Sequence, residues 1–412
     1  MAASDRPAAT AAPIRWGRVF ALLALLALVG EAISQGMIYA YAGRPFQSLS
    51  VYRWSPYGLV RNNPGLTSPG YEIDRSGFRS LGEYQKKKPP GTLRVLLLGG
   101  SVLYSGLAGA RLERYGRVGS NATIAPFLEA LFAKDPTLAG RKVEVINAAV
   151  NFNRIVEIAS AYLEEYIAWD ADLVVVFGGI NNFFWFREAG DFAAGRTTLQ
   201  APHPFRLEFE RLVNEQSAAA FVERAWRTGA EHSALLALAY KGSGALADRL
   251  VALAARLAPA RPPRPDPALR PETPAEQDAY MRLYASYADA MIAAARAAGQ
   301  GIVFVWEPAL AHLVGVKPLS DEEHSLADPI RNHPNRIAQF EASRQAFHRI
   351  LDRQGVPVID PTDALRAHPG TVFIDYVHYT PDGNRFMAEV AYPTLRAMLA
   401  RRLNGPAPAP PK

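Results

Sequence analysis

The sequence predicts an α/β fold organised on a parallel sheet, and three observations carry that prediction. Short apolar runs alternate along the chain with stretches whose apolar residues recur at helical spacing, so strand, helix, strand, helix and strand follow one another. After their first residues, Arg94 and Asp172, the runs at 94–98 and 172–177 are apolar at successive positions rather than at every second one, as expected of strands buried on both faces. Both of these runs close on a glycine pair, Gly99-Gly100 and Gly178-Gly179, where open α/β sheets turn and place their ligands.

The chain opens on a continuous apolar run from Val19 to Gly30, preceded by Arg6, Arg15 and Arg18. The run is shorter than the roughly 20 residues of a membrane span. Extended through Ile33 to Tyr41 it reaches that length, with Glu31 inside it. A cleaved signal peptide is the competing reading, because Ala32-Ile33-Ser34 has the small-x-small form of a cleavage site. The apolar pattern resumes at Met37, and Tyr39 and Tyr41 suit a membrane interface, so an uncleaved signal anchor over 16–41 is favoured. The arginines then keep 1–15 in the cytoplasm and put the rest of the chain on the outer side.

Residues 42–90, rich in Pro, Gly, Tyr and Arg, read as an extended linker packing on the domain that follows. Within it Lys86-Lys87-Lys88 reads as a solvated stretch, and Gly77-Phe78-Arg79 ends a turn that would dock Phe78 on the core. The main domain is expected over 91–403. After the first strand and a glycine-rich loop, Ile124, Phe127, Leu128, Leu131 and Phe132 mark a helix, and 143–147 the second strand. Ile155, Ile158, Ala159, Tyr162 and Leu163 mark the next helix, ahead of the third strand. A helical insertion is expected at about 187–272, Ala-rich over 217–257 and proline-rich after it. Thr273-Pro-Ala-Glu276 has a capping-box form and opens a further helix, followed by strands at 302–306 and 356–359 with a helix over 335–351 between them. Thr380 and Pro381 start the final helix, and 404–412 is a disordered tail.

Composition narrows the chemistry. At 412 residues the chain can bury a full-sized core and still carry an insertion. The formal charge of +6 is spread over scattered arginines with no basic stripe bearing aromatics, which argues against nucleic acid as a partner. There is no cysteine, so disulfides, thiol nucleophiles and cysteine metal sites are excluded. Neither a phosphate loop nor a dinucleotide fingerprint is present, and no histidine has metal-ligand spacing, so neither cofactor nor metal is expected.

Ser101 follows the first glycine pair and is placed to act as a nucleophile if a base reaches its hydroxyl. The bland reading is a glycine turn with a capping serine. Asp375 and His378 supply a base and its orienting carboxylate in a D-x-x-H turn; otherwise they make a hydrogen bond at the start of a helix. Asn181 follows its strand as Ser101 follows the first, and reads as an oxyanion donor beside the Ser101 N–H, or as a turn former. Phe183, Phe184, Trp185 and Phe186 would wall an acyl or sugar pocket or pack on the core.

The order of Ser101 after Gly-Gly, Asn181 in Gly-Ile-Asn-Asn and Asp375-x-x-His378 near the C-terminus resembles the SGNH/GDSL hydrolase superfamily. It is similar in particular to a membrane-anchored bacterial branch in which Gly-Gly-Ser replaces Gly-Asp-Ser, and Gly77-Phe78-Arg79 matches that branch too. The resemblance covers about 70–185 and 300–395. It implies a three-layer α/β/α flavodoxin-like fold and ester hydrolysis or acyl transfer, often on carbohydrates. Carried over, Ser101 is the nucleophile, His378 the base, Asp375 its orienter and Asn181 an oxyanion donor.

The chain departs from the family pattern at three places: Gly100 stands for aspartate, Asn182 for the aspartate of G-x-N-D, and Asn147-Ala-Ala-Val-Asn151-Phe152-Asn153 for a glycine-bearing segment like N-A-G-V-x-G. The second oxyanion donor is then the backbone N–H of Phe152, with Asn151 or Asn153 as substitutes and a side chain narrowing the site. Asn151, Asn153, Asn182 and Phe183 are the expected substrate-binding residues. The reading is a single-pass protein of the bacterial inner membrane with its catalytic domain on the periplasmic or extracellular side. It would act as a serine esterase or O-acyltransferase on acylated glycan or another ester, with partners in polysaccharide biosynthesis. The rivals are a non-catalytic binding or assembly protein for polysaccharide export and a lipid esterase with an apolar channel at 183–186.

Overall fold

A computed structural model describes residues 16–42, 45–47, 52–54, 60–68, 71–105, 118–138, 140–179, 218–257, 274–331 and 334–404. Helix α1 (Trp16–Ala42) takes in both apolar patches and carries through Glu31 without a break. Its first 25 residues, Trp16–Ala40, are long and apolar enough to cross a membrane.

The segment read as an extended linker is more ordered than its composition suggests. Two antiparallel ribbons form, β1 (Tyr52–Trp54) with β2 (Val60–Asn62) and β3 (Thr67–Ser68) with β4 (Tyr71–Glu72). Arg61, Asn62, Asp74 and Arg79 are buried here. Arg61, Asn62 and Arg79 have partners from far along the chain, and the Asn62 amide donates to the carbonyls of Gly77 and Ala149, both at 3.0 Å, whereas Asp74 accepts the nearby Ser76 and Phe78 N–H groups. Phe78 docks as expected, fully buried, with its ring 4.6 Å from that of Trp169 and 5.7 Å from that of Tyr166. Lys88 departs from the solvated reading, because its ammonium lies 2.6 Å from Asp172.

The main sheet is built from β5 (Leu93–Leu98), β6 (Val143–Asn147), β7 (Leu173–Gly178), β8 (Gly301–Trp306) and β9 (Val358–Ile359). All neighbours are parallel, in the spatial order β6-β5-β7-β8-β9. Numbered within the sheet this is 2-1-3-4-5, the flavodoxin-like order. The connections carry α2 (Ser101–Tyr104), α3 (Ile124–Ala133), α4 (Ile155–Glu164), α5 (Ala218–His232), α6 (Ala234–Leu257) and α7 (Pro274–Ala297). They continue with α8 (Asp321–Arg331), α9 (Pro334–Arg353) and α10 (Thr362–Ala367), and the chain closes with α11 (Pro381–Asn404).

Alternation along each strand divides the core into two faces. Val95, Leu97, Val145, Val175, Val303 and Val305 pack with α3 and α11 on one side. Leu96, Leu98, Ile146, Val174, Val176 and Phe304 pack with α4, α7 and α9 on the other. This is a three-layer α/β/α fold, as the resemblance implied, with helices covering both faces of the parallel sheet that the apolar runs predict. At the amino edge the fully buried Arg94 donates to Glu144 and to the carbonyls of Lys86 and Trp169. Asp172 there takes Lys88, Arg402 and the Arg94 N–H. The polar cluster closes the end of the sheet opposite the one that holds Ser101.

The described helices of the insertion, α5 and α6, group with α1 as one compact unit, and the sheet with its helices is a second. Within the first unit Gly30 faces Leu235, where an added Cβ would come within 3.0 Å of the leucine Cδ2. Thr273 and its capping box, the 180–217 stretch and the 405–412 tail lie outside the described residues.

Candidate active site

In a parallel sheet every strand delivers its following loop to one edge. Ser101 is the first residue of α2, directly after β5, and is half-buried. The N-cap of that helix is Gly100, so Ser101 does not fill the capping role that its bland reading gave it. Gly99 suits close packing: a Cβ there would stand 3.0 Å from both Leu103 and Phe177, so these neighbours would have to give way. Behind Ser101 the side chains of Val102, Leu103 and Tyr104 are fully buried, which leaves the turn little freedom.

The segment after β6 lies beside the turn that carries Ser101. Ala148 N–H donates to Leu97 O at 2.9 Å and Val150 N–H to Gly99 O at 3.2 Å, so this loop follows the β5 backbone to within two residues of Ser101. Asn151 and Asn153 are both buried. Phe152 sits in the left-handed region at φ 66°, with 37% of its surface exposed. That conformation suits glycine and costs a non-glycine residue about 1–2 kcal/mol. The loop has thus kept a glycine-like backbone path and turned the aromatic side chain partly outward.

Asp375 and His378 form a closed local motif. Asp375 Oδ1 accepts the backbone N–H groups of Val377 and His378, both at 2.8 Å, and Oδ2 meets His378 Nδ1 at 2.7 Å. Burial works against ionisation of Asp375, but the hydrogen bonds and charge of His378 outweigh it and hold the carboxyl below the usual range. The other ring nitrogen, His378 Nε2, is buried and has no hydrogen-bond partner among the described residues. The start of α11 is served by a different side chain, since Thr380 Oγ1 accepts Gly383 N–H at 2.9 Å. Asp375 and His378 are therefore free of the helix-start role.

Long-range hydrogen bonds bring the two motifs to one edge of the sheet. Leu310 N–H donates to Tyr376 O at 2.9 Å, and the Tyr379 hydroxyl to Pro308 O at 3.1 Å, which ties the D-x-x-H turn to the segment just past β8. Asn384, fully buried in the first turn of α11, donates to Ser105 Oγ at 3.0 Å and Ala122 O at 2.9 Å. Ser105 caps the C-terminus of the short helix that Ser101 begins. Arg79 holds the same corner, with its guanidinium 4.7 Å over the Tyr104 ring and donating to Ser105 O and Val118 O. The sequence marked Arg79 only as part of a turn and did not mark Asn384, whose position six residues past His378 carries no pattern of its own.

A second anchor lies ahead of Asp375. Lys317 and Glu323 are both fully buried and paired at 2.5 Å. Glu323 accepts the N–H groups of Val372 and Phe373, while Lys317 donates to Gly370 O. His348 also meets a carboxylate, Asp360, at 2.7 Å, but Asp360 is shared with Arg344 and with the Thr362 N–H and belongs to an ion-pair cluster. His312 is buried between the rings of Trp306 and Phe340, and burial pushes it down to about 4, so it stays neutral. Asn181, Asn182 and the aromatic run 183–186 lie outside the described residues.

No protein-family model matches the chain, and no curated protein matches its sequence. Solved structures similar to it include the acetyl xylan esterase AlAXEase, at 11% identity and TM-score 0.39, over 74% of this chain and 100% of that one. The acetylxylan esterase Axe2 from Geobacillus stearothermophilus is similar at 13% identity and TM-score 0.38, over 74% and 94%. A lipase/acylhydrolase from Enterococcus faecalis is similar at 12% identity and TM-score 0.38, over 74% and 96%. At this depth the strand order, and not these likenesses, carries the fold assignment.

Proposed function

We propose that the chain is a serine esterase on the outer face of a bacterial inner membrane, anchored by α1. Its substrate in this reading is O-acylated carbohydrate of the envelope or of exported polysaccharide. The observation that carries the reading is the imidazole of His378, oriented through Nδ1 by Asp375 at 2.7 Å while Nε2 stays buried and unpartnered among the described residues. A base so prepared lacks only the hydroxyl it would deprotonate.

In the proposed cycle Ser101 Oγ attacks the ester carbonyl carbon as its proton passes to His378 Nε2. Asp375 stabilises the imidazolium that forms. The developing oxyanion accepts from the backbone N–H groups of Ser101 and Phe152 and from the Asn181 side-chain amide. Collapse breaks the acyl C–O bond, the alcohol leaves with the His378 proton, and the acyl group remains on Ser101. Water, or a second sugar hydroxyl, then attacks the acyl-enzyme with His378 again taking the proton; collapse breaks the acyl carbon–Ser101 Oγ bond, His378 returns the proton to Ser101, and the acid or new ester leaves. Hydrolysis and transfer share this intermediate. Asn151, Asn153, Asn182 and Phe183 would frame the sugar or acyl group, and proteins of polysaccharide biosynthesis would supply it.

The test is labelling of the solubilised full-length protein by a fluorophosphonate probe, together with turnover of a small acetyl ester. Wild type is expected to react in both assays, and Ser101→Ala and His378→Ala in neither. A folded wild type inert to both would overturn the reading. It would favour a non-catalytic role in binding polysaccharide, for which Phe152 at a glycine-like position is the supporting observation. Phe152→Gly then separates the two, because reaction gained only in that variant means a blocked site rather than an idle one.

A further inference from the structure

Glu31 is a carboxylate in the middle of an apolar helix, and its surroundings say where part of the insertion lies. Oε1 accepts Gln35 Nε2 and the backbone N–H of Ala234, both at 2.9 Å. Oε2 accepts the Ser233 hydroxyl at 2.6 Å and the Leu235 N–H at 2.9 Å. Three of these four donors belong to the first turn of α6 and the residue that precedes it. They include N–H groups that a helix leaves open at its start. The approach is close, since Gly30 leaves room for Leu235 and Gly229 for Leu236.

The inference rests on the reading of α1 as a membrane span. At 1.5 Å per residue, Glu31 lies about 22 Å from Trp16 and about 14 Å from Ala40. A hydrocarbon layer of about 30 Å centred on those 25 residues would leave Glu31 about 10 Å below its outer boundary. A carboxylate at that depth is costly unless it is paired. Here the α5–α6 corner supplies the pairing, so the corner has to reach the same level. We infer that the α5–α6 corner of the insertion is a second membrane contact, seated in the outer leaflet against phospholipid through its docking on Glu31.

The outer surface of the corner fits that partner. Trp226 and Leu238 remain 38% and 37% exposed on either side of it, an aromatic and an aliphatic where an interface takes them. Lys241, exposed one turn further along α6, is placed for anionic headgroups. In the same compact unit, Leu25 and Leu28 of α1 are more than half exposed.

The chain has no cysteine, so single introduced cysteines report unambiguously. The full-length variants Leu238→Cys, Leu25→Cys and Val316→Cys, each carrying a bimane label, would be placed in vesicles of phosphatidylcholine and phosphatidylglycerol with brominated acyl chains. The inference expects loss of fluorescence at positions 25 and 238 and none at 316, which lies in the sheet unit. Quenching at 25 without quenching at 238 would overturn the inference and leave the span standing. Absence of quenching at both would overturn the span and the inference with it. Adding Glu31→Gln should weaken quenching at 238 and leave 25 unchanged, and equal quenching in that variant would overturn the role of Glu31.

Discussion

Replacing Lys317 by methionine removes the cation from the most deeply buried ion pair among the described residues and leaves Glu323 in place. Both side chains are fully buried, and the carboxylate would keep the N–H groups of Val372, Phe373 and Ser320 while losing its counter-charge at 2.5 Å. Gly370 O would lose its donor as well. Breaking one side of a buried pair costs about 3–5 kcal/mol, because the remaining charge is left uncompensated. That is a large share of the roughly 5–15 kcal/mol by which domains are stable. The double variant Lys317→Met/Glu323→Gln should recover part of the loss, since the neutral amide oxygen still accepts from Val372 and Phe373 and no charge stays buried. Urea unfolding of the full chain in detergent, read by tryptophan fluorescence, measures both, with Trp169 and Trp306 buried on one face of the sheet. The coupling also reaches the site, because Val372 and Phe373 lead into the turn that holds Asp375 and His378. Probe labelling of the single variant should therefore fall at urea concentrations where wild type still reacts. A single variant within about 1 kcal/mol of wild type, or a double variant no more stable than the single, would refute the reasoning from desolvation.

Two further substitutions test other parts of the structure. Asn384→Ala removes two buried donors from the contact between α11 and the Ser105 corner and should cost about 2 kcal/mol, with slower labelling of the folded protein; an unchanged labelling rate would mean that Arg79 alone holds the corner. Asp74 is buried, and that burial raises its carboxyl to about 6 in the folded chain. Its contribution is thus full below about pH 4 and is lost as the pH rises through about 6, at most about 3 kcal/mol in all. Asp74→Asn keeps an oxygen for the Ser76 and Phe78 N–H groups and should flatten that part of the stability–pH curve, which denaturant melts across the range would detect.

What could be read from the sequence was local. Buried strands declare themselves as unbroken apolar runs, and helices by the spacing of residues such as Ile155, Ile158 and Tyr162, so the sheet and its crossovers were legible. The Asp375–His378 pair was legible for the same reason: three residues of separation let a carboxylate, two backbone N–H groups and a ring meet within one turn. Burial of polar groups was not legible, because it depends on partners that only the tertiary structure supplies. Arg94, inside an apolar run, is satisfied by Glu144 fifty residues on, and Lys88 by Asp172. Asn384 finds Ser105 across 279 residues of chain, and Glu31 finds Ser233 across 202. A side chain with several hydrogen-bonding atoms is tolerated inside only where each has a counterpart, and no pattern of neighbours in the chain announces a counterpart so far away. The tertiary structure alone therefore decided which polar residues hold the Ser101 and Asp375–His378 turns at one edge, and which helices pack with α1.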